Sequence, residues 1–534
     1  MKRPVFDFSS IPFAATGRFS SIITDYLKGD TFFNEFISYP FELESFKDAI
    51  QAKSKEAINR KLLKEVLLDQ YQEIETSEEV LNNINLLEEQ TTFCCVTAHQ
   101  LNILTGPLYI IYKTQSVIDL CAAAEKENPT NKIVPVFWLG SEDHDLQEIN
   151  HTYVNGEKLS WDTNQTGPTG KMTTDGMEQV LKDLQALAGD SDYTRNWLAI
   201  LNKAYGASNL AKATQILLNE LFADQGVIVL DADDKRLKAE FAEIMQDELL
   251  NQTASEVTNY STIKLESKYG AQAHVRDINL FYMEPGFRSR IIREDSKYSV
   301  SDSSFSWTEE ELLRLLGSQP QLFSPNVILR PLYQQKILPS LAYVGGGGEI
   351  AYWMQLKQLF QRHEVDFPML VLRSSVMVVD RGSLRRMKKL GITNEAVFDK
   401  EFQLIRNFVK SQLDSRLELE ELKNTIKNQL NHLSEQVNLV DPTLEKTVLA
   451  EQVNTLKNLE KLEKKIFRAA KRKSDTEIKQ IKAILEVLFP SGSLQERHDN
   501  LSSFFTKLGF NFLEELKGNL NPLNKQFLIA TEVQ

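Results

Sequence analysis

The sequence predicts an α/β protein with a Rossmann-like parallel sheet as its core, and three neighbouring segments carry this prediction. An apolar run at 92–96 is followed by helical apolar spacing at 107–124, and Pro107 stands where proline favours a helix start. A second apolar run occupies 133–139, as expected of a strand buried on both faces. Strand, helix and strand in this succession form a βαβ unit, whose two strands are parallel.

Further segments extend this core and interrupt it. Apolar runs that predict strands lie at 226–231, 327–331, 341–344 and 367–373, and one helix is predicted over 349–362. Between 155 and 325 the pattern changes: Asn155-Gly156 predicts a β-hairpin, and 270–308 alternates like antiparallel strands around a turn at 284–286. We therefore predict an α+β insertion between the two halves of the core.

The region 383–487 predicts a long antiparallel helical hairpin of coiled-coil type. No glycine occurs between Gly391 and Gly492, and apolar residues recur at steps of three and four on both sides of Pro442. The predicted divisions of the chain are 1–155 (a helical N-terminal part and the first half of the core), 156–325 (the insertion, with a core strand near 226–233), 326–382 (the second half of the core), 383–487 (the hairpin) and 488–534 (a segment packing on the core).

Composition restricts the class of protein. The chain has 534 residues and a net charge of −13, which argues against nucleic acid as the main partner. No apolar run approaches the roughly 20 residues that span a bilayer, so no membrane segment is predicted. Three cysteines do not make a disulfide framework, and we expect a cytoplasmic protein with reduced, buried thiols.

Polar residues follow the predicted strands at the edge where parallel sheets bind ligands. His99 and Gln100 end the first strand, where an imidazole can stabilise a phosphate or a developing negative charge, or simply cap the loop. Thr105 and Gly106 open the next helix with free backbone N–H groups, with Tyr109 in its first turn. Lys113, a turn further on, would reach an anion there unless it is an ordinary solvated lysine.

The segment Glu142-Asp143-His144-Asp145 is the densest polar cluster of the chain. Three carboxylates beside one imidazole suit general acid–base chemistry or the binding of an ammonium group. A metal site is the alternative, but no second histidine or cysteine spacing supports it, and no metal is predicted.

A glycine run, Gly345 to Gly348, precedes Glu349 and opens a helix, so that a ligand can approach backbone N–H groups closely. It matches neither the Walker A nor the G-x-G-x-x-G pattern, and a tight turn is the alternative interpretation. Tyr352 and Trp353 would form walls of the site or pack in the core, and Arg373 ends another predicted strand facing the same pocket.

These motifs together resemble the BshC family over essentially the whole chain. The segments that carry the resemblance are Thr97–Gln100, Thr105–Tyr109, Tyr112-Lys113, Pro135–Trp138, Glu142–Asp145, Ser324–Val327, Arg330-Pro331, Leu341–Trp353, Leu488–Gly492 and Leu494–Arg497. The resemblance implies a core like that of class I aminoacyl-tRNA synthetases, a connecting-peptide insertion and a homodimer formed through the coiled coil. It also implies the last step of bacillithiol biosynthesis, in which cysteine is added to the amino group of glucosaminyl-malate.

The leading hypothesis from the sequence is therefore an amide-forming ligase. Cysteine would be activated with ATP or another nucleotide, with His99 and the glycine-loop N–H groups stabilising negative charge and Asp143 and His144 holding the amine or taking its proton. The alternatives are a coiled-coil interaction protein that binds a nucleotide or metabolite without catalysis, and a metal-dependent hydrolase. The ligase hypothesis requires the loops at 97–107, 141–145 and 345–349 to line one cavity.

Overall fold

The computed structural model describes residues 5–270, 272–294, 297–414 and 419–533. Its strands, numbered along the chain, are β1 Phe6–Pro12, β2 Thr92–His99, β3 Lys132–Leu139, β4 His151–Val154, β5 Glu157–Ser160, β6 Ile228–Asp231, β7 Leu280–Glu284, β8 Phe287–Glu294, β9 Lys297–Val300, β10 Ser306–Thr308, β11 Phe323–Pro325, β12 Ser340–Gly345, β13 Met369–Leu372, β14 Ser375–Val379 and β15 Gln526–Glu532.

The α-helices of the described residues are α1 Ser21–Leu27, α2 Ser45–Lys53, α3 Arg60–Tyr71, α4 Glu78–Leu86, α5 Tyr109–Glu127, α6 Leu146–Ile149, α7 Met177–Ala188, α8 Asp192–Tyr205, α9 Leu210–Phe222, α10 Lys235–Ala239, α11 Ala242–Asn251, α12 Thr253–Tyr269, α13 Glu309–Ser318, α14 Arg330–Ile337, α15 Gly347–Trp353, α16 Lys357–Arg362, α17 Arg381–Leu390, α18 Glu401–Asp414, α19 Leu419–Asn438, α20 Leu444–Lys473, α21 Asp475–Leu488, α22 Ser502–Leu508 and α23 Asn511–Leu516. None of these helices is both long and apolar enough to cross a membrane.

The chain forms two compact units. The first comprises the described residues up to 377 together with 493–530, and the second comprises 378–492 and 531–533.

A five-stranded parallel sheet is the core of the first unit, with the strand order β13-β12-β2-β3-β6. If the five strands are numbered by their order along the chain and the sheet is followed from β6 to β13, the strand order is 3-2-1-4-5. This is the Rossmann order. The predicted Rossmann-like parallel sheet is confirmed. Residues 92–98 of β2 are all buried because the strand lies inside the sheet, with α5 packed on β2 and β3.

The inserted strands also follow the predicted patterns. β4 and β5 pair antiparallel, and their turn has positive φ at both Asn155 (51°) and Gly156 (87°), as a type I′ turn requires. β7 and β8 pair antiparallel around Pro285-Gly286, within a second sheet of order β10-β9-β8-β7-β11. A third sheet has the order β1-β15-β14.

Two predictions of local structure are wrong. Residues 327–331 do not form a strand: Asn326 caps a turn by accepting from the N–H groups of Ile328 and Leu329, and α14 begins at Arg330. Pro331 lies in the first turn of that helix, where a missing N–H costs nothing. The single helix predicted over 349–362 is divided into α15 and α16.

The second unit is helical, as predicted, and α19 and α20 are its longest helices. Lys423 of α19 forms an ion pair with Glu463 of α20 at 2.6 Å, and Gln452 of α20 donates to the side chain of Asn431 at 2.6 Å. Several apolar side chains on these helices remain exposed, including Leu462 at 51% and Val453 at 49%.

Candidate active site

A cavity of about 800 Å³ lies in the first unit where three core strands end. His99 and Gln100 line it from the end of β2, residues 142–144 from the loop after β3, and residues 346–349 from the loop after β12. β2 and β12 are neighbours in the sheet, and the chain order reverses between them. Rossmann-type sheets bind their ligands at this reversal, outside the carboxyl ends of the strands.

Most of the residues proposed from the sequence line this cavity, and the rest do not. Those in the lining are His99, Gln100, Tyr109, Glu142, Asp143, His144, Gly346, Gly347, Gly348, Glu349, Tyr352 and Arg373. Those outside it are Thr105, Gly106, Lys113, Asp145 and Trp353.

His99 is held by two hydrogen bonds that fix its tautomer. Its Nδ1 lies 3.2 Å from the carbonyl oxygen of Gln100, and its Nε2 lies 2.9 Å from the hydroxyl of Tyr109. A carbonyl oxygen only accepts, so Nδ1 carries the proton and Nε2 accepts from Tyr109. Burial and the nearby Lys113 cation lower the pKa of His99 to about 4. The imidazole is therefore neutral at pH 7.

Lys113 is neither available to a bound anion nor solvated, which corrects both interpretations of its position on α5. Its side chain is fully buried, and its Nζ lies 2.7 Å from Oε2 of Glu349 and 2.7 Å from the carbonyl oxygen of Ala98. Glu349 also accepts from the Tyr343 hydroxyl at 2.5 Å and from the Gly346 N–H at 2.8 Å. Burial raises the pKa of Glu349, but Lys113 and these hydrogen bonds outweigh it and lower the pKa to about 2. The ion pair therefore ties the glycine loop to α5.

The start of α5 is covered by the C-terminal segment, which corrects the prediction for Thr105 and Gly106. Asn500 donates to the carbonyl oxygens of Leu104 and Gly106, both at 2.6 Å, and Leu108 donates to the carbonyl of Asp499. Thr105 is buried, and a Cβ on Gly106 would lie 2.5 Å from Cβ of Asn102. Packing therefore explains this glycine, and the turn is closed to a ligand.

Trp353 packs in the core, where its ring stacks on Tyr343 with centroids 4.2 Å apart. The prediction that Trp353 walls the site is therefore corrected. Arg373 lines the cavity but already has a partner, because it forms a two-pronged ion pair with the buried Glu496 at 2.8 and 2.9 Å.

The three lining residues of the loop after β3 have different partners. Asp143 accepts from the Gln100 side chain (2.6 Å) and from the N–H groups of His144 and Asp145. Burial opposes ionisation, but these bonds and Arg288 lower its pKa. Glu142 pairs with Lys238, and burial raises the pKa of Glu142 in spite of that cation.

His144 Nδ1 lies 2.7 Å from a guanidinium nitrogen of Arg288. Burial and the Arg288 charge lower the pKa of His144. Two cations, Lys238 and Arg288, thus lie against this cluster. Within the described ranges, no group of three or more His, Cys, Asp or Glu side chains is arranged to hold a metal ion.

The structure adds a set of arginines that were not among the site residues predicted from the sequence. The additional guanidinium groups in the lining are those of Arg276, Arg288, Arg290, Arg330 and Arg497. In the part of the chain that the structure describes, none of these five has a carboxylate within 4.0 Å. Arg288 and Arg290 alternate along β8, which was a signal that they share a face of that strand.

Comparison with known proteins agrees with the resemblance seen in the motifs. Residues 6–374 match the model described as "Bacillithiol biosynthesis BshC, N-terminal Rossmann-like domain", and 376–532 match "Bacillithiol biosynthesis BshC, C-terminal coiled-coil domain". A Flavobacterium psychrophilum protein named "Putative cysteine ligase BshC" is 38% identical over 523 residues, covering 97% of this chain and 98% of its own. The chain belongs to the BshC family.

Other BshC proteins extend the comparison. The one from Christiangramia forsetii is 37% identical over 529 residues, with 98% of each chain covered. The one from Bacillus cytotoxicus is 26% identical over 518 residues, covering 93% of this chain and 95% of its own. The BshC N-terminal model includes every lining residue of the cavity except Arg497.

Proposed function

We propose that this protein is a cysteine ligase. It joins the carboxyl group of L-cysteine to the amino group of glucosaminyl-malate, as the last step of bacillithiol biosynthesis. The observation that carries the proposal is the nearly full-length similarity to proteins named "Putative cysteine ligase BshC". For the relatives from Flavobacterium psychrophilum and Christiangramia forsetii, the alignment covers 97% or more of both chains.

The charges in the cavity support these two substrates. Cysteine and the malate group carry carboxylates, and guanidinium groups with no carboxylate partner bind such groups with two parallel hydrogen bonds. Both substrates also carry an amino group, and the carboxylates of Glu142 and Asp143 line the same cavity. We assign the substrate amine to this pair and the substrate carboxylates to Arg276, Arg290 and Arg497.

Amide formation needs the amine nitrogen as a free base, because its lone pair makes the new bond to the carboxyl carbon of cysteine. The bond from that carbon to its activated oxygen breaks, and this oxygen leaves with the activating group. The ammonium form must first lose a proton to a group in the cavity. Asp143 is ionised, and three hydrogen bonds hold its carboxylate in place. We propose that it orients the amine, with His99, Tyr109 and His144 contacting the acyl group.

The glycine loop supports the binding of ATP or another nucleotide. A Cβ at Gly348 would meet nothing within 4 Å, and Gly348 is not among the residues with positive φ. Neither packing nor backbone strain therefore requires glycine there, whereas close approach of a ligand would. Gly346–Gly348, Tyr352 and Arg330 would hold the nucleotide. When bound, it supplies the activation that a carboxylate needs before an amine can attack it.

We further propose that the core is of the class I aminoacyl-tRNA synthetase type, with 156–325 as its connecting-peptide insertion. The strand order and the histidine that ends β2 support this relationship. The free, buried cysteines Cys94, Cys95 and Cys121 support a cytoplasmic site of action.

We propose that α19 and α20 form an antiparallel hairpin through which two copies of the chain dimerise. The exposed apolar residues of these helices are the surface that a second copy would cover. Deletion of 395–480 is expected to give a monomer, measured by light scattering, and a dimer that survives the deletion would contradict this interface.

The test of the ligase proposal is product formation by the purified protein. Cysteine, glucosaminyl-malate and ATP are incubated with the full chain, and the thiol product is measured by mass spectrometry. We expect His144→Ala to lose product while it keeps its circular dichroism spectrum. Arg293→Gln is the matched control, since Arg293 pairs with Glu309 away from the cavity. Calorimetric heat from a nucleotide alone, with no product under any condition, would instead indicate a binding protein.

A further inference from the structure

Arg288 connects the inserted sheet to the loop after β3. Its guanidinium lies 2.7 Å from Nδ1 of His144 and 3.1 Å from the hydroxyl of Ser324, and it stacks 3.8 Å from the ring centroid of Phe281. Phe281 is on β7, which pairs with β8 on one side and with β11 on the other; these two strands carry Arg288 and Ser324. Two contacts within the inserted sheet, with Phe281 and Ser324, therefore hold this guanidinium against His144.

This contact determines the state of the His144 ring. A guanidinium has only N–H donors and stays charged at all accessible pH values, so Nδ1 of His144 must be the acceptor. A neutral imidazole carries one ring proton, which is then on Nε2. Within the described residues, Nε2 of His144 has no hydrogen-bond partner, and the ring lines the cavity.

We propose that Arg288 is a positioning residue that holds His144 as a neutral imidazole, with its Nε2–H directed as a hydrogen-bond donor to an oxygen of the substrate. The oxygen is that of a carboxylate or of the acyl group that becomes negative as the amine attacks. The assignment of this oxygen rests on the proposed function, whereas the assignment of the tautomer does not. His144 is then a donor to the substrate, and the base that takes the amine proton is another group.

The charges around His144 act in opposite directions. Asp143 and Asp145, in its own loop, favour the protonated ring, while burial and Arg288 from β8 oppose it. Phe281 of β7, with its ring centroid 5.7 Å away, adds no charge. If the guanidinium is removed, only burial still opposes the two carboxylates, and the ring will accept a second proton at higher pH than in the wild type.

Nitrogen NMR of the imidazole rings tests the tautomer without any substrate. The full chain is labelled with ¹⁵N-histidine, and the His144 signals among the seven histidines are assigned by their loss in His144→Gln. We expect the wild type to show Nε2 protonated and Nδ1 unprotonated near pH 7. In Arg288→Met we expect the pKa of His144 to be higher than in the wild type, because a positive charge beside the ring is lost. Arg293→Gln, on the same strand, is expected to leave the His144 signals unchanged.

Two results would overturn the proposal: a proton on Nδ1 of His144 in the wild type, or the same titration of His144 in Arg288→Met. The first is measured on the wild type alone, so it decides even if Arg288→Met does not fold. In the ligase assay, Arg288→Met is expected to lower kcat about 100-fold, as for the loss of one preorganised donor, with a smaller change in KM. A wild type with the expected NMR signals but no ligase activity would refute the proposed function and leave the tautomer assignment standing.

Discussion

Replacement of Lys113 by methionine tests whether the Lys113–Glu349 pair is structural. Methionine keeps the length of the side chain and removes the cation, so Glu349 keeps only the Tyr343 and Gly346 donors. Lys113 and other contacts lower the pKa of Glu349 from 4.5 to about 2. For the Glu349 carboxylate with all of its contacts, this difference corresponds to about 3 kcal/mol, at about 1.4 kcal/mol per pH unit. On the other side of the pair, burial lowers the pKa of Lys113 in spite of Glu349, so the cation itself is costly to bury. Removing one partner of a buried ion pair costs about 3–5 kcal/mol in other proteins, and the value of about 3 kcal/mol for Glu349 lies at the lower end of this range.

The double variant Lys113→Met with Glu349→Gln distinguishes the loss of both charges from the burial of one unpaired charge. Glutamine keeps acceptors for Tyr343 and Gly346 without a buried charge, so we expect the double variant to lie within about 1 kcal/mol of the wild type. Each single variant is expected to lose about 3 kcal/mol. The free energy of unfolding is measured in urea by tryptophan fluorescence, and Lys126→Met, an exposed change on the same helix, is the control. A single variant as stable as the wild type would refute the reasoning.

The pair also has a pH signature. Because the pKa of Glu349 is lowered on folding, its ionised carboxylate contributes fully to the free energy of unfolding above pH 4.5. This contribution is lost as pH falls toward 2. The stability difference between the wild type and Lys113→Met is therefore expected to be large at pH 7 and to shrink at pH 3. A difference that stays constant with pH would assign the loss to packing instead of charge.

Two other variants test the glycine loop and the C-terminal cover. Gly348→Ala is expected to keep the free energy of unfolding or raise it by up to about 1 kcal/mol, and to weaken nucleotide binding in calorimetry. Gly317→Ala is the control, because a Cβ there also meets nothing within 4 Å; it is expected to change stability in the same way and to leave nucleotide binding unchanged. Equal nucleotide affinity in both would contradict a ligand at the loop. Asn500→Ala removes two buried donors and is expected to cost about 2–3 kcal/mol in urea unfolding, whereas the exposed Asn519→Ala should cost less than about 0.5. Equal losses would contradict the bridging role of Asn500.

The sequence was sufficient for the core because its strands are continuous apolar runs that end in polar residues. The runs at 92–96 and 133–139 lie within β2 and β3, and the polar residues after them meet at one cavity. Three apolar residues at 327–329 were too short a run to separate a strand from a turn. There, Asn326 and Pro331 decided the local structure.

The roles of individual site residues depended on partners far along the chain. Lys113 and Glu349 are 236 residues apart, and Asn500 reaches Gly106 across 394 residues. Nothing in the spacing around Lys113 or Gly106 indicated these contacts, so their anion-binding interpretation was reasonable and wrong. The same applies to Arg288, whose place beside His144 follows from the pairing of inserted strands with one another.

The bridge from Asn500 to Leu104 and Gly106 has a consequence for synthesis on the ribosome. The turn before α5 emerges early, but the side chain that satisfies its carbonyls is translated 394 residues later. At ordinary elongation rates of about 5–20 residues per second, that interval is about 20–80 seconds. During this time the nascent chain holds the first βαβ unit with its turn uncapped, so a stalled or truncated product would expose that turn to chaperones and proteases.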